Sequence, residues 1–396
     1  MKILFFTSVW PVFGGGETFL RFLKDALVKN NHQVIIATHK ISDQCGHEGD
    51  NIYSIPEIKN SIFCRRDRSI ERICDEIICK EKPDICHLNV IQSFGLAPLY
   101  VAQKHAIPTV FTFNDYFTVC GNTHLFYNSK PCSTGPQLFK CFFCEFISSD
   151  PHYKNNYARS FLHGLRNIHR MIFYRKELSK FTKIICPSHS TIEYLQLCGG
   201  PKHNVELIVY PFKKTTIAED NCTKVDSERA GYVTGGRLVR YKGFQNVIKC
   251  FNNLQLPLTI IGRGVYEEWL KKLAGPQIAF TGFLKQDELY YVLQKSKAFI
   301  APSLWPETGG PPYAIMDCYA TGTPVIASSV GGHIEGVDHE KTGFLYSPTD
   351  PAELQKYIAL IQNGWQPDYN TINNYLSNRE PEKIVERYMA VYNSLL

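Results

Sequence analysis

The 396-residue sequence has no run of the ~18 uninterrupted apolar residues that a membrane-spanning helix needs, so no helical span is expected. Its apolar opening, MKILFFTSVWPVF, lacks a small-residue cleavage site. It runs directly into a glycine-rich turn and an amphipathic helical pattern, so it reads as a first buried strand and not as a signal peptide. Without a secretory signal, the 14 cysteines indicate a reducing compartment, a cytoplasmic one, and thiols or metal ligands in place of disulfides. The first strand–helix turn lacks the Gly-x-Gly-x-x-Gly fingerprint, which removes a nicotinamide-dependent reading. No nucleic-acid recognition motif is present and the net charge of +6 is modest, so nucleic acid is not an expected partner.

What is present is alternation. Short apolar strands alternate with helical patterns along the whole chain, which argues for α/β architecture with parallel sheets covered on both faces. In the first half the strands are expected at about Lys2–Thr7, Gln33–Thr38, Ile85–Asn89, Pro108–Phe113, Lys183–Pro187 and Val205–Val209. In the second they are expected at about Ala230–Thr234, Leu258–Ile261, Ile278–Phe280, Ala298–Ala301, Pro324–Ala327 and Gly343–Leu345. Residues 211–229, centred on KKTTIAEDNCTKVDSER, have little apolar periodicity and read as a linker. The expected organisation is therefore two Rossmann-like doubly wound domains, 1–210 and 230–375, facing a cleft, with a final helical segment, 376–396. Residues 1–210 hold 24 Lys/Arg against 18 Asp/Glu, which leaves 19 of each for the remainder. The excess points to an anionic partner for the first half, such as a membrane surface or a phosphate-bearing acceptor.

Several turns have the composition of ligand loops. Gly14-Gly15-Gly16-Glu17 follows the first strand, and its glycines leave helix N–H groups accessible to an anion; a plain tight turn is the alternative. His87 and Asn89 end the third strand, and Asn114 and Asp115 end the fourth, positions that line the ligand side of such folds. Asn114 can hydrogen-bond a sugar hydroxyl but cannot relay a proton, whereas Asp115 can act as a base or simply cap a turn. Arg237 and Lys242, five apart in GGRLVRYKGFQNVI, suit a diphosphate. Pro302 to Ser328 joins an acidic loop to prolines that suit a helix start, a short helix and a stop at Gly322. Glu307 lies in that loop and Asp317 near the helix start; solvated acids of an ordinary βαβ unit are the alternative.

These segments resemble the signatures of the family 4 glycosyltransferases, retaining enzymes of GT-B fold. The Gly-Arg…Lys-Gly stretch, the Gly-Gly-x-Glu loop, the turn Val330 to Glu335 and the acidic donor loop all have counterparts there. The family's two acids stand eight apart; here Glu307 and Asp317 are ten apart, and Asn114 stands where the family commonly has histidine. The resemblance implies a nucleotide-sugar donor whose diphosphate is held by Arg237 and Lys242, with Gly15, Gly16, Gly262 and Gly282 approaching through backbone. Asp317 would bond the ribose, and Glu307 with Thr308, Gly309 and Gly310 would hold the transferred sugar. Arg237, Lys242, Glu307, Asn114 and Asp115 are the expected catalytic set. No catalytic metal is implied. The last helix would return to the first domain. The implied acceptor is a saccharide, on its own or linked to polyprenyl diphosphate, as in surface polysaccharide synthesis. The alternatives are a weak or inactive partner subunit of an assembly complex, and a GT-B epimerase, for which no convincing acid/base pair is present.

Two stretches stand apart. Residues 116–150 form a cysteine-rich insertion in which Cys120, Cys132, Cys141 and Cys144 could hold a structural zinc, or remain four thiols in an apolar loop; a subset of the family has a similar insertion. Residues 154–183 contain eight Lys/Arg and one acid, Glu177, with Phe161, Leu165, Ile168, Ile172 and Phe173 at helical spacing. This reads either as peripheral contact with the inner face of the cell membrane or as a core helix with a solvated basic face.

Overall fold

The computed structural model describes residues 1–11, 14–41, 51–58, 66–127, 130–148, 157–213, 229–306 and 309–396. Glu307, Thr308 and most of the expected linker lie outside the described residues. The chain divides into two compact units. The first comprises Met1–Asn128, Cys132–Pro211 and Glu380–Leu396; the second comprises Phe212–Arg379 with Ser129–Pro131.

The first unit is built on a parallel sheet of β1 (Lys2–Trp10), β2 (Gln33–Ile41), β3 (Asn51–Ser54), β4 (Ile85–Leu88), β5 (Thr109–Thr112), β8 (Lys183–Cys186) and β9 (Val205–Leu207). The strand order is β3-β2-β1-β4-β5-β8-β9. A separate pair, β6 (Phe126–Tyr127) and β7 (Lys130–Pro131), lies in the cysteine-rich insertion. Ile3, Leu4, Phe5 and Phe6 are all inaccessible to solvent, because helices cover both faces of β1. The helix Gly15–Lys29 buries Phe19, Leu20, Leu23, Ala26 and Leu27, a stripe at helical spacing.

The final helix, Pro381–Asn393, belongs to this first unit and returns to pack against its first helix. It buries Ile384, Val385, Tyr388, Val391 and Tyr392. His87, expected at the ligand side of the sheet, is instead in the core. It shares hydrogen bonds with the Tyr392 and Thr112 hydroxyls, each at 2.6 Å. Tyr388 also stacks on it. The helix thus supplies the polar partner that a buried imidazole requires.

The second unit has a parallel sheet of β10 (Tyr232–Gly235), β11 (Leu258–Ile261), β12 (Ile278–Gly282), β13 (Ala298–Ala301), β14 (Val325–Ser328) and β15 (Gly343–Tyr346). Its order is β12-β11-β10-β13-β14-β15. Alternate residues of each strand feed opposite faces. Tyr232, Ala298, Ile300 and Ile326 join one apolar cluster, and Val233, Phe299, Val325 and Ala327 join the other. In both sheets the strand order reverses beside the first strand, β1 next to β4 and β10 next to β13, and the loops at those carboxyl ends are the natural ligand positions.

Candidate functional site

In the second unit, Arg237 follows β10 with its side chain exposed. Lys242 ends a single 3-10 turn, Arg240–Lys242, and lies 5.9 Å from the Trp305 ring. Trp305 packs on Tyr241 at 5.1 Å, and the Leu304 N–H donates to the Tyr241 carbonyl at 2.8 Å. The cation-bearing turn is thereby tied to the loop after β13. Gly262 has φ +120, and a Cβ there would lie 2.0 Å from the Gly236 carbonyl oxygen; its N–H donates to Gly282 at 2.7 Å. Only glycine lets the turns after β10, β11 and β12 close on one another in this way. Arg263, exposed beside Gly282, is a further cation at these strand ends.

Gly309 and Gly310 are buried and have φ of 79° and 85°. Gly310 rests on Gly332, where a Cβ would lie 2.1 Å from its carbonyl oxygen. The acidic loop and the Gly331-Gly332 turn therefore fit together without side chains between them. The helix that follows runs Tyr313–Ala320, with Pro312 at its cap position and Gly322 at φ 66° just past its end.

The placement of Asp317 corrects one expectation. Because both prolines precede the helix, Asp317 is its fifth residue and not part of its first turn. The Tyr290 hydroxyl donates to its carboxylate at 2.9 Å. Burial pushes its pKa up to about 7, against the opposing effect of that hydrogen bond.

In the first unit, Gly15 opens the first helix and Gly16 packs against Asn114. Asn89 donates to the Gly16 carbonyl at 3.0 Å and accepts from the Asn114 amide. Tyr210 donates to the Asn114 oxygen at 2.6 Å. Asn114, expected to face a sugar hydroxyl, instead directs both ends of its carboxamide into this buried network. Asp115 accepts from the Phe117 N–H and from Gln92, both at 2.9 Å, and burial raises its pKa.

Glu17 was legible only as part of the glycine loop, yet it is 6% exposed. The backbone groups of Glu17 and Gly14 favour its ionised form. Desolvation raises its pKa, with Asp115 adding repulsion. Two carboxyls, each biased toward protonation, therefore meet beside Asn114.

Cys120, Cys132, Cys141 and Cys144 line one pocket. Among the described residues, the three potential metal ligands that come within 4.8 Å of one another are Asp75, Cys79 and His105, not these cysteines. The helix Tyr157–Glu177 buries Met171 but leaves Phe161, Leu165 and Ile172 exposed. Among the described residues, no helix is long and apolar enough to cross a membrane.

Residues 13–209 match the family model described as Glycosyltransferase Family 4, and residues 218–378 match that described as Glycosyl transferases group 1. The chain belongs to the family 4 glycosyltransferases. Among curated relatives of this glycosyltransferase, the alpha-monoglucosyldiacylglycerol synthase of Streptococcus pneumoniae is 26% identical over 83% of this chain and 71% of that protein. An uncharacterized glycosyltransferase of Methanocaldococcus jannaschii is 25% identical over 39% of this chain, and the match spans 40% of that protein's length. Among solved structures, the lipopolysaccharide outer core galactosyltransferase WaaB has a TM-score of 0.69 at 14% identity, with 100% of both chains covered. Anabaena Alr3699/HepE in complex with UDP and glucose also has a TM-score of 0.69 at 14% identity, over 100% of both chains. These likenesses agree with two parallel-sheet α/β units of the GT-B kind.

Proposed function

We propose that this glycosyltransferase moves a sugar from a nucleoside diphosphate sugar, with retention at the anomeric carbon, to a saccharide or lipid-linked acceptor. The observation that carries the reading is the position of Arg237 and Lys242 at the carboxyl end of β10, where the strand order reverses. Two cations there neutralise the diphosphate as it departs, which is where charge develops in the transition state. Asp317 in its ionised form accepts from a ribose hydroxyl. Glu307, Thr308, Gly309 and Gly310 belong to the loop that holds the transferred sugar. In the first unit, Asp115 takes the acceptor's proton, while Asn114 positions the first helix. Gly15 and Gly16 leave room for an anionic group at the start of the first helix.

Relatives named for diacylglycerol glucosylation, amylovoran biosynthesis and phosphatidylinositol mannoside synthesis support a lipid-borne or polysaccharide acceptor. A membrane contact fits the same reading. Phe139 is 85% exposed, and Phe143, Phe161 and Leu165 are exposed on the neighbouring helices Leu138–Ser148 and Tyr157–Glu177, which carry basic residues. A second reading, a weakly active partner subunit, is favoured by the internal commitment of Asn114. The two are separated by incubating the purified chain with a panel of nucleotide sugars and following nucleoside diphosphate release with and without lipid extract. Release that depends on acceptor supports transfer; no release from any donor in the panel supports the partner reading.

A further inference from the structure

The cysteine pocket has four thiols on its walls, although no three of their sulfurs lie within 4.8 Å of one another. Cys120 ends a helical turn, its N–H bonded to the Tyr116 carbonyl at 2.8 Å. Cys132 follows β7, and its N–H donates to Leu125 at 2.7 Å. Cys141 and Cys144 lie three positions apart on the helix Leu138–Ser148, hence on one face of it. A hairpin and a helix start thus bring two pairs of thiols to the walls of one pocket. The sulfurs of Cys132 and Cys144 each have a carbonyl oxygen and a donor nearby: the Gly135 carbonyl is 3.8 Å from the first and the Phe126 carbonyl 3.9 Å from the second. The Lys140 ammonium is 3.4 Å from the Cys132 sulfur, and the Asn122 amide nitrogen is 3.7 Å from the Cys144 sulfur. The carbonyls take the proton of a neutral thiol, and the donors suit the thiolate that a metal would hold.

We propose that Cys120, Cys132, Cys141 and Cys144 bind one zinc ion as thiolates and that this site fixes the cysteine-rich insertion to the first unit. Each sulfur gives its proton to solvent as it binds, and the Lys140 ammonium offsets part of the surplus negative charge. The sulfurs draw inward from the pocket walls to the ~2.3 Å zinc–sulfur distance of tetrahedral sites. Cys198 is buried close to Cys120, Cys132 and Cys141 but does not line the pocket, so it stays outside the ligand set. The site is independent of the transfer reaction.

The test is metal analysis of the full chain, purified without chelator from zinc-supplemented medium. One zinc per chain is expected, retained in Cys198→Ala and Cys79→Ser and lost in Cys141→Ser/Cys144→Ser. Zinc well below one per chain, zinc retained by the double variant, or zinc lost in Cys198→Ala or Cys79→Ser overturns the assignment. If the double variant does not fold, cobalt reconstitution of the wild-type chain decides. Thiolate-to-cobalt charge transfer with strong tetrahedral d–d absorption is expected, and its absence overturns the proposal.

Discussion

The Tyr290 hydroxyl donates to the Asp317 carboxylate at 2.9 Å, joining the helix Gln286–Lys295 to the helix Tyr313–Ala320. This bond favours the ionised carboxylate, yet burial outweighs it and places the pKa at about 7. The folded state therefore holds a proton that the unfolded chain, at 3.8, has lost. Stability from this group is present at low pH and lost as pH rises through about 7. If the ionised form receives the ribose, donor KM falls as pH rises between about pH 6 and about pH 8. The Asp317→Asn variant should show a flat, high KM over that range. A wild-type KM independent of pH, measured with a nucleotide sugar whose diphosphate does not titrate there, contradicts the ribose role.

Asp115 is raised toward protonation and sits beside Glu17, which suits a group that must take a proton in the reaction. Asp115→Asn should lower kcat by ~100-fold and remove the acid limb of the pH–rate profile. The Asn retains an oxygen for the Phe117 N–H, so thermal stability should change little. Full activity in this variant would leave Asp115 as a turn residue only.

Burial pushes the His87 pKa down to about 3, so the imidazole is neutral in the folded protein. The unfolded chain takes up the proton first as pH falls below 6.5, and stability drops between there and about 3 by up to ~1.4 kcal/mol per pH unit. Tyr392→Phe removes the partner of the His87 Nδ1 and should cost about 1–3 kcal/mol in denaturant unfolding at neutral pH. An unchanged midpoint would show that the last helix is held by its apolar stripe alone.

Phe139, Phe161 and Leu165 are exposed on a surface that also carries basic side chains. Replacing all three by aspartate should abolish co-sedimentation with vesicles containing phosphatidylglycerol while leaving the melting temperature within a few degrees of wild type. Sedimentation equal to wild type removes the membrane contact from the account.

Much of the fold is legible because a buried parallel strand is a continuous apolar run. All twelve expected strands are present, and Ala298–Ala301 and Leu258–Ile261 match to the residue. The edge strand Asn51–Ser54 and the short β6–β7 pair escaped, since neither has an apolar run long enough to register. The glycines and cations of the donor unit are legible for a similar reason: turn geometry and charge are local properties. What distant partners decide is not legible. His87 looks like a ligand-side residue until Tyr392, 305 positions away, takes one of its nitrogens. Asn114 looks available until Tyr210 and Asn89 are placed around it. The Asp317 pKa depends on Tyr290 and on burial, neither of which its own helix reveals.

The most direct measurement is a calorimetric titration of the full chain with UDP, GDP and a panel of their sugars, repeated with Arg237→Ala/Lys242→Ala. At least one nucleotide should bind the wild-type chain. The double variant should lose that binding, and Arg237→Ala alone should lower kcat with the matching sugar donor by ~100-fold. A nucleotide that binds equally well without both cations, or a chain that binds none of the panel, contradicts the claim that these two side chains grip the departing diphosphate.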